Sequence, residues 1–66
     1  MEMMLQRVKG RELKVGDKFM TSLVSNGKLI SKIVELEDGG IRIFMGEPEF
    51  RRRVEQGEMV LIERRM

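Results

Sequence analysis

The chain has 66 residues, with 13 Lys and Arg against 11 Asp and Glu, a formal net charge of +2 and 36% charged residues. This length allows one domain, which we expect to span residues 1–66. With no Cys and no His, the sequence excludes disulfides, zinc sites built from these ligands, and catalytic pairs in which His activates Ser or Cys. A hydrophobic fraction of 41% predicts a folded chain rather than a disordered one.

Turn-forming residues divide the chain into segments of about ten residues, a spacing that predicts a β-meander rather than a helical bundle. The first apolar segment is Met3–Val8, and the glycine-containing stretch Leu13–Asp17 forms a turn that leads into a strand at Lys18–Val24. Strands at Leu29–Glu37 and Ile41–Met45 then complete a three-stranded meander.

Two dipeptides set the predicted register of this meander. Asn26-Gly27 and Asp38-Gly39 suit the central positions of a type I′ turn, where both residues need positive φ. Two-residue loops at both points place Glu35 opposite Lys18 on one neighbouring strand and opposite Arg42 on the other. The sequence therefore predicts a cross-strand charge ladder.

The same register assigns each side chain of the meander to one of two faces. The predicted core face is interrupted only by Thr21 and Lys32, and its apolar members are Phe19, Leu23, Ile30, Val34, Leu36, Ile41, Ile43 and Met45. The opposite face carries charged residues and an apolar rung, formed by Met20, Ile33 and Phe44. Either the N-terminal strand or a helix covers this rung, or the rung docks onto a partner protein or a second copy of the chain.

Residues 47–57 fit either a helix or a strand. As a helix, the segment has Pro48 in its first turn and Gly57 at its end. As a strand that returns through a four-residue turn, it places Arg53 directly opposite Arg42. Because like charges directly opposed are unfavourable, the short helix is the favoured interpretation.

The last segment, Met59–Arg65, is apolar on both sides and predicts a strand that lies centrally in the sheet or closes a barrel. The resulting order predicts a mainly β fold: a single small curled sheet or SH3-like barrel of about five strands, with one short helix before the last strand. This layout resembles the small barrels of the Src-homology type. The resemblance is one of layout and implies a fold, not a function.

The residues that could carry catalysis lack the partners that catalysis needs. No His is present to activate the candidate nucleophiles, which are Thr21, Ser22, Ser25 and Ser31. The spacing of the glycines matches no phosphate-binding loop, and Asp17 and Asp38 are too far apart in sequence to form a calcium loop. We therefore expect no enzymatic activity, no cofactor and no metal ion.

Positive charge is unevenly distributed along the chain. Residues 1–32 contain seven basic and three acidic residues, and two arginine clusters follow near the C-terminus. If the first loop, the helix and the end of the last strand converge, they form a patch for phosphate groups, consisting of Arg7, Lys9, Arg11, Arg51, Arg52, Arg53, Arg64 and Arg65. The expected partner is RNA or DNA, bound through its backbone and without base specificity. Nearby glutamates leave open that these cations are paired within the chain.

A non-catalytic interaction module is therefore the predicted function. The alternative to nucleic-acid binding is a small accessory protein that docks onto a partner protein, or onto itself, through Met20, Ile33 and Phe44. No segment resembles a signal peptide, and the apolar runs are far shorter than the roughly 18 residues of a membrane span. We therefore expect a cytoplasmic location and no membrane partner.

Overall fold

Six β-strands account for most of the chain in the computed structural model, which describes residues 3–20 and 27–65. The strands are β1 (Met3–Lys9), β2 (Lys18–Phe19), β3 (Lys28–Glu35), β4 (Ile41–Met45), β5 (Phe50–Val54) and β6 (Met59–Arg65). A single 3-10 turn, η1 (Gly10–Glu12), follows β1. The described residues include no helix long and apolar enough to cross a membrane.

The strands form one antiparallel sheet in the order β1-β6-β2-β3-β4-β5. β6 lies between β1 and β2, which confirms the central position predicted for the last strand. The neighbours β2, β3 and β4 confirm the meander, and a mainly β, curled sheet is confirmed as the fold class.

The predicted short helix before the last strand is wrong. Residues Phe50–Val54 form β5, which pairs with β4 and places Arg53 opposite Arg42 and Arg52 opposite Ile43. The expected repulsion between the two paired arginines is relieved because Arg53 forms salt bridges with Asp38 and Glu55. β5 also buries Val54 completely.

The predicted register of the first hairpin is also wrong. Lys18 pairs with Leu29, and Phe19 pairs with Lys28, whereas two-residue loops required Lys18 to face Glu35. β2 is a two-residue strand whose other edge is held by β6, so pairing with β6 fixes its position. The other expectations for this hairpin, a strand continuing to Val24 and a turn centred on Asn26, lie outside the described residues.

The second hairpin has a longer loop than predicted. The N–H of Gly39 donates to the carbonyl of Leu36, the N–H of Leu36 donates to the carbonyl of Gly40, and Gly39 has φ +90°. This is a three-residue loop with glycine in the left-handed position. Glu35 consequently pairs with Ile41, one position away from the predicted partner, and the charge ladder does not form.

A β-bulge in β3 changes which of its side chains face the core. Ile30 pairs with Met45, but the next paired residue is Lys32, opposite Phe44, so Ser31 is an additional residue. After the bulge Ile33, opposite Ile43, faces the core. The predicted core positions of Lys32 and Val34 are therefore wrong.

The core lies on one side of the curled sheet and contains residues from every strand. Its buried members are Val8, Leu13, Phe19, Ile30, Ile41, Ile43, Met45, Val54, Val60 and Ile62. This confirms five residues of the predicted core face, namely Phe19, Ile30, Ile41, Ile43 and Met45. Leu23 and Thr21 lie outside the described residues, and Leu36 is only half-buried.

The turn η1 joins the end of β1 to the connection between β5 and β6. The N–H of Gly10 donates to the carbonyl of Glu58 at 2.8 Å, and the N–H of Arg11 donates to that of Gln56 at 3.1 Å. A Cβ at Gly10 would collide with the carbonyl oxygen of Glu55. Only glycine permits this close approach of two backbone segments.

Candidate nucleic-acid interface

The second half of the sheet, β3–β4–β5, exposes a face rich in positive charge. Cross-strand partners share a face, so the pairings after the bulge place two rows of three side chains on the side away from the core. We call this the outer face, and its six members are Lys32, Phe44 and Arg51 in one row and Val34, Arg42 and Arg53 in the next. Four of the six are cations.

Phe44 is the aromatic centre of the outer face. The ammonium nitrogen of Lys32 lies 5.3 Å from the ring centroid, and the guanidinium carbon of Arg51 lies 5.6 Å from it. Phe44 is half-buried, while Lys32 and Arg51 are exposed. Exposed cation–π contacts of this kind contribute about 0.5–1 kcal/mol each, so both cations remain free to leave the ring for a stronger partner.

Arg53 is the member of the outer face whose charge is compensated. Its Nε atom donates to Glu55 Oε1 at 2.6 Å, and its Nη1 atom donates to Asp38 Oδ2 at 2.8 Å. Hydrogen bonds to Glu55 and Asp38 raise the pKa of Arg53 further above its ordinary value. In turn, hydrogen bonds from Arg53 and from the backbone N–H of Gly40 lower the pKa of Asp38.

The remaining three cations of the outer face are uncompensated. Lys32, Arg42 and Arg51 form no salt bridge with any carboxylate in residues 3–20 and 27–65. All three side chains are exposed. The outer face therefore presents three cations without a carboxylate partner among the described residues, grouped around one aromatic ring.

Two of the arginines predicted to bind phosphate instead have structural partners. Arg52, on the core side of β5, lies over the ring of Phe19 at 5.0 Å and forms a 3.2 Å salt bridge with Glu58. Arg64 forms a two-point salt bridge with buried Asp17, at 2.8 Å and 2.7 Å. Both arginines hold parts of the fold together.

Asp17 is the one buried charged residue in the described part of the chain, with 3% of its surface exposed. Burial disfavours the charged form of Asp17 and by itself raises the pKa. This effect is outweighed by hydrogen bonds from Arg64 and from the backbone N–H of Lys14, and by the positive charges of both residues. The net effect lowers the pKa of Asp17 below its ordinary value of 3.8. The hydrogen bonds to Asp17 raise the pKa of Arg64.

The other predicted phosphate-binding residues are not members of the outer face. Arg7 and Lys9 are exposed on β1, Arg11 lies on η1, and Arg65 lines an open cleft of about 690 Å³ near the end of β6. β1 and β5 are at the two ends of the strand order, although η1, which follows β1, packs against the connection between β5 and β6. Of the eight predicted cations, only Arg51 and Arg53 belong to the outer face.

The predicted apolar rung is not formed. Ile33 faces the core opposite Ile43, Phe44 faces the other side opposite Lys32, and the N–H of Met20 donates to Leu61, on a different part of the sheet. The three residues therefore share no surface.

Sequence reasoning missed Lys32 and Arg42 as site residues. It placed Lys32 in the core face and Arg42 on the opposite face as part of the charge ladder. The extra residue in β3 moves Lys32 to the outer face, and the longer loop leaves Arg42 on its predicted face but pairs it with Val34 instead of Glu35. The one available signal was the second glycine of Asp38-Gly39-Gly40, which favours a loop longer than two residues.

Comparison with known proteins assigns no family to this chain. It matches no protein-family model, no curated protein and no solved structure. A functional assignment therefore depends on the geometry of the outer face.

Proposed function

We propose that this protein is a non-catalytic module that binds the backbone of nucleic acid through the outer face. The observation that carries the proposal is the grouping of three uncompensated cations, Lys32, Arg42 and Arg51, on one sheet face. Phosphate groups are the polyanionic partner that such a face attracts most strongly, and arginine can bind them in a two-point geometry.

The spacing of these cations suits a short stretch of backbone. Neighbouring strands lie about 4.8 Å apart, so the Cα atoms of Lys32 and Arg51 are separated by about 10 Å across the three strands. Arg42 lies two residues from Phe44 along β4, or about 7 Å. An area of this size accommodates about three phosphate contacts, one for each uncompensated cation.

Binding through three phosphate contacts has a defined salt dependence. Each contact contributes about −0.7 to the slope of log K against log salt concentration for a single strand, so the slope expected for the outer face is about −2. The measurement is fluorescence anisotropy of a dye-labelled oligonucleotide over a series of salt concentrations.

A double substitution tests whether the contacts lie on the outer face. Arg42→Gln with Arg51→Gln removes two of the three uncompensated charges, and we expect weaker binding at low salt and a slope reduced to about −0.7. The matched control, Arg7→Gln with Lys9→Gln, removes the same charge from exposed positions of β1 and should leave the slope near −2.

Two results would count against the proposal. If no oligonucleotide binds at low salt, the protein does not bind nucleic acid. If the β1 control weakens binding as much as the outer-face variant does, binding depends on net charge or on another surface. Circular dichroism of both variants establishes that each retains the β fold.

A further inference from the structure

We infer that the nucleic acid on this face is single-stranded and that one of its bases stacks on the ring of Phe44. The inference rests on the proposed function and adds the form of the ligand. The inference follows from the position of the aromatic ring. Phe44 lies in its row between Lys32 and Arg51, so phosphates bound to these two cations would place the intervening base over the ring.

The strandedness follows from what a phenylalanine ring can contact. In a duplex the flat faces of the bases are stacked on one another and only their edges are exposed in the grooves, so a phenylalanine ring finds no base face on which to stack. In a single strand the bases turn outward and stack on aromatic side chains, while cations track the backbone. The outer face offers both elements within one row of side chains.

The ring and the phosphates compete for the same two cations. In the free protein Lys32 and Arg51 both lie over the ring of Phe44. When phosphates approach, both long side chains turn toward them, since a fully charged partner attracts a cation more strongly than a ring does. The ring is thereby uncovered for a base.

The chain's other two phenylalanines lie elsewhere. Phe19 is 4% exposed and covered by Arg52. Phe50 is 53% exposed, but it pairs with buried Met45 and so belongs to the opposite side of the sheet from Phe44. Phe44 is therefore the ring that the outer-face cations surround.

Among the described residues, the outer face offers no uncharged polar side chain that is free to distinguish one base from another. The hydroxyl of Ser31, the uncharged polar group next to Phe44, donates to the carbonyl of Phe44 at 3.2 Å. The remaining side chains are cations, which contact phosphates, and Val34. We therefore expect stacking that tolerates any base.

Phe44→Leu tests the stacking without removing charge. Loss of one stacked base should weaken binding of a dye-labelled oligo-dT by about tenfold and leave the salt slope unchanged, because the phosphate contacts remain. Binding of a duplex of the same length should change less than about twofold. The matched control, Phe50→Leu, removes an exposed ring from the opposite side and should bind oligo-dT as the unmodified protein does.

A second measurement uses the unmodified protein and so does not depend on how the variant folds. The chain has three Phe and no Trp, Tyr or His, so the aromatic region of its proton NMR spectrum contains three rings only. Stacking should shift the Phe44 ring protons upfield and give nuclear Overhauser contacts to base protons.

The outcomes separate this inference from the proposed function. If Phe44→Leu binds oligo-dT normally and the Phe44 ring protons do not shift, the stacking is overturned while backbone binding stands. Equal weakening by Phe50→Leu, or a duplex that binds as tightly as the single strand, also overturns it. If neither nucleic acid binds at low salt, both proposals fail.

Discussion

At the scale of single residues, the same side-chain type has three different roles in this protein. Arg64 neutralises a buried carboxylate, Arg53 is held by two exposed carboxylates, and Arg51 lies on a ring without a carboxylate partner. The role depends on which partners the fold brings within reach. A count of arginines in the sequence therefore overstates the number available to bind phosphate.

The Asp17–Arg64 pair gives a prediction about pH. Asp17→Asn mimics the protonated carboxyl and leaves partly exposed Arg64 without its charged partner, so we expect the free energy of unfolding at pH 7 to fall by about 2 kcal/mol. Because the pKa of Asp17 is lower in the folded chain than its ordinary value of 3.8, the unfolded chain takes up this proton first as the pH falls. The stabilisation of the fold by the charged Asp17 carboxylate is complete above its ordinary pKa of 3.8. It is lost as the pH falls through the lower pKa that Asp17 has in the folded chain.

Urea unfolding of both proteins between pH 7 and pH 2, followed by circular dichroism, measures this difference. The two free energies of unfolding should begin to converge once the pH falls below about 3.8, and the difference should keep shrinking until the pH reaches the lower folded-state pKa. Asp38→Asn serves as a control, because Asp38 is exposed and its salt bridge to Arg53 is screened by water, so its loss should change stability little at any pH. A difference between wild type and Asp17→Asn that persists unchanged to pH 2 would contradict the electrostatic role of Asp17.

At the scale of the elements, the sequence is sufficient to predict the strands but not how they are aligned. The meander, half of the core and the central position of β6 follow from alternating apolar residues and turn-forming residues. The bulge at Ser31 and the loop from Leu36 to Gly40 each move the alignment of β3 with β4 by one residue. The local sequence pattern gives no strong indication of either feature. Each one-residue shift exchanges core-facing and outward-facing side chains.

The short helix predicted within residues 47–57 shows why local pattern was insufficient for the site. The strand was disfavoured because two arginines would face each other, yet Asp38, 15 residues from Arg53 in the sequence, compensates one of them. That partner is brought close by the hairpin between β3 and β4, so it is known only once the tertiary structure is known. The outer face was missed for the same reason, because it requires β5 beside β4.

The contact between η1 and β5 gives a prediction at this scale. Gly10→Ala forces a methyl group against the carbonyl oxygen of Glu55, and we expect the free energy of unfolding to fall by about 2 kcal/mol. Gly57→Ala is the matched control, because a Cβ there meets no other atom within 4 Å. It should leave stability unchanged or raise it by about 0.5 kcal/mol, since alanine restricts the unfolded chain.

Urea unfolding at neutral pH distinguishes these two alanine variants. Equal stability of Gly10→Ala and the unmodified protein would mean that η1 does not pack against the connection between β5 and β6 as the structure shows.

At the scale of the whole molecule, the net charge is only +2, but the positive charges are unevenly distributed over the surface. Several carboxylates form salt bridges with arginines. Asp17 pairs with Arg64, Asp38 and Glu55 both pair with Arg53, and Glu58 pairs with Arg52. Within residues 3–20 and 27–65, three cations of the outer face have no such partner. The electrostatic attraction for a polyanion is therefore expected from one face of the sheet and not from the molecule's average charge.

The most direct test of this central claim is a two-dimensional proton–nitrogen NMR titration of the labelled protein with short single- and double-stranded oligonucleotides, at low and then raised salt. We expect shift changes centred on the backbone amides of Lys32, Arg42, Phe44 and Arg51, reversed by salt and absent from Arg7 and Lys9 on β1. Shift changes centred on β1, or a spectrum that does not change at low salt, would contradict it.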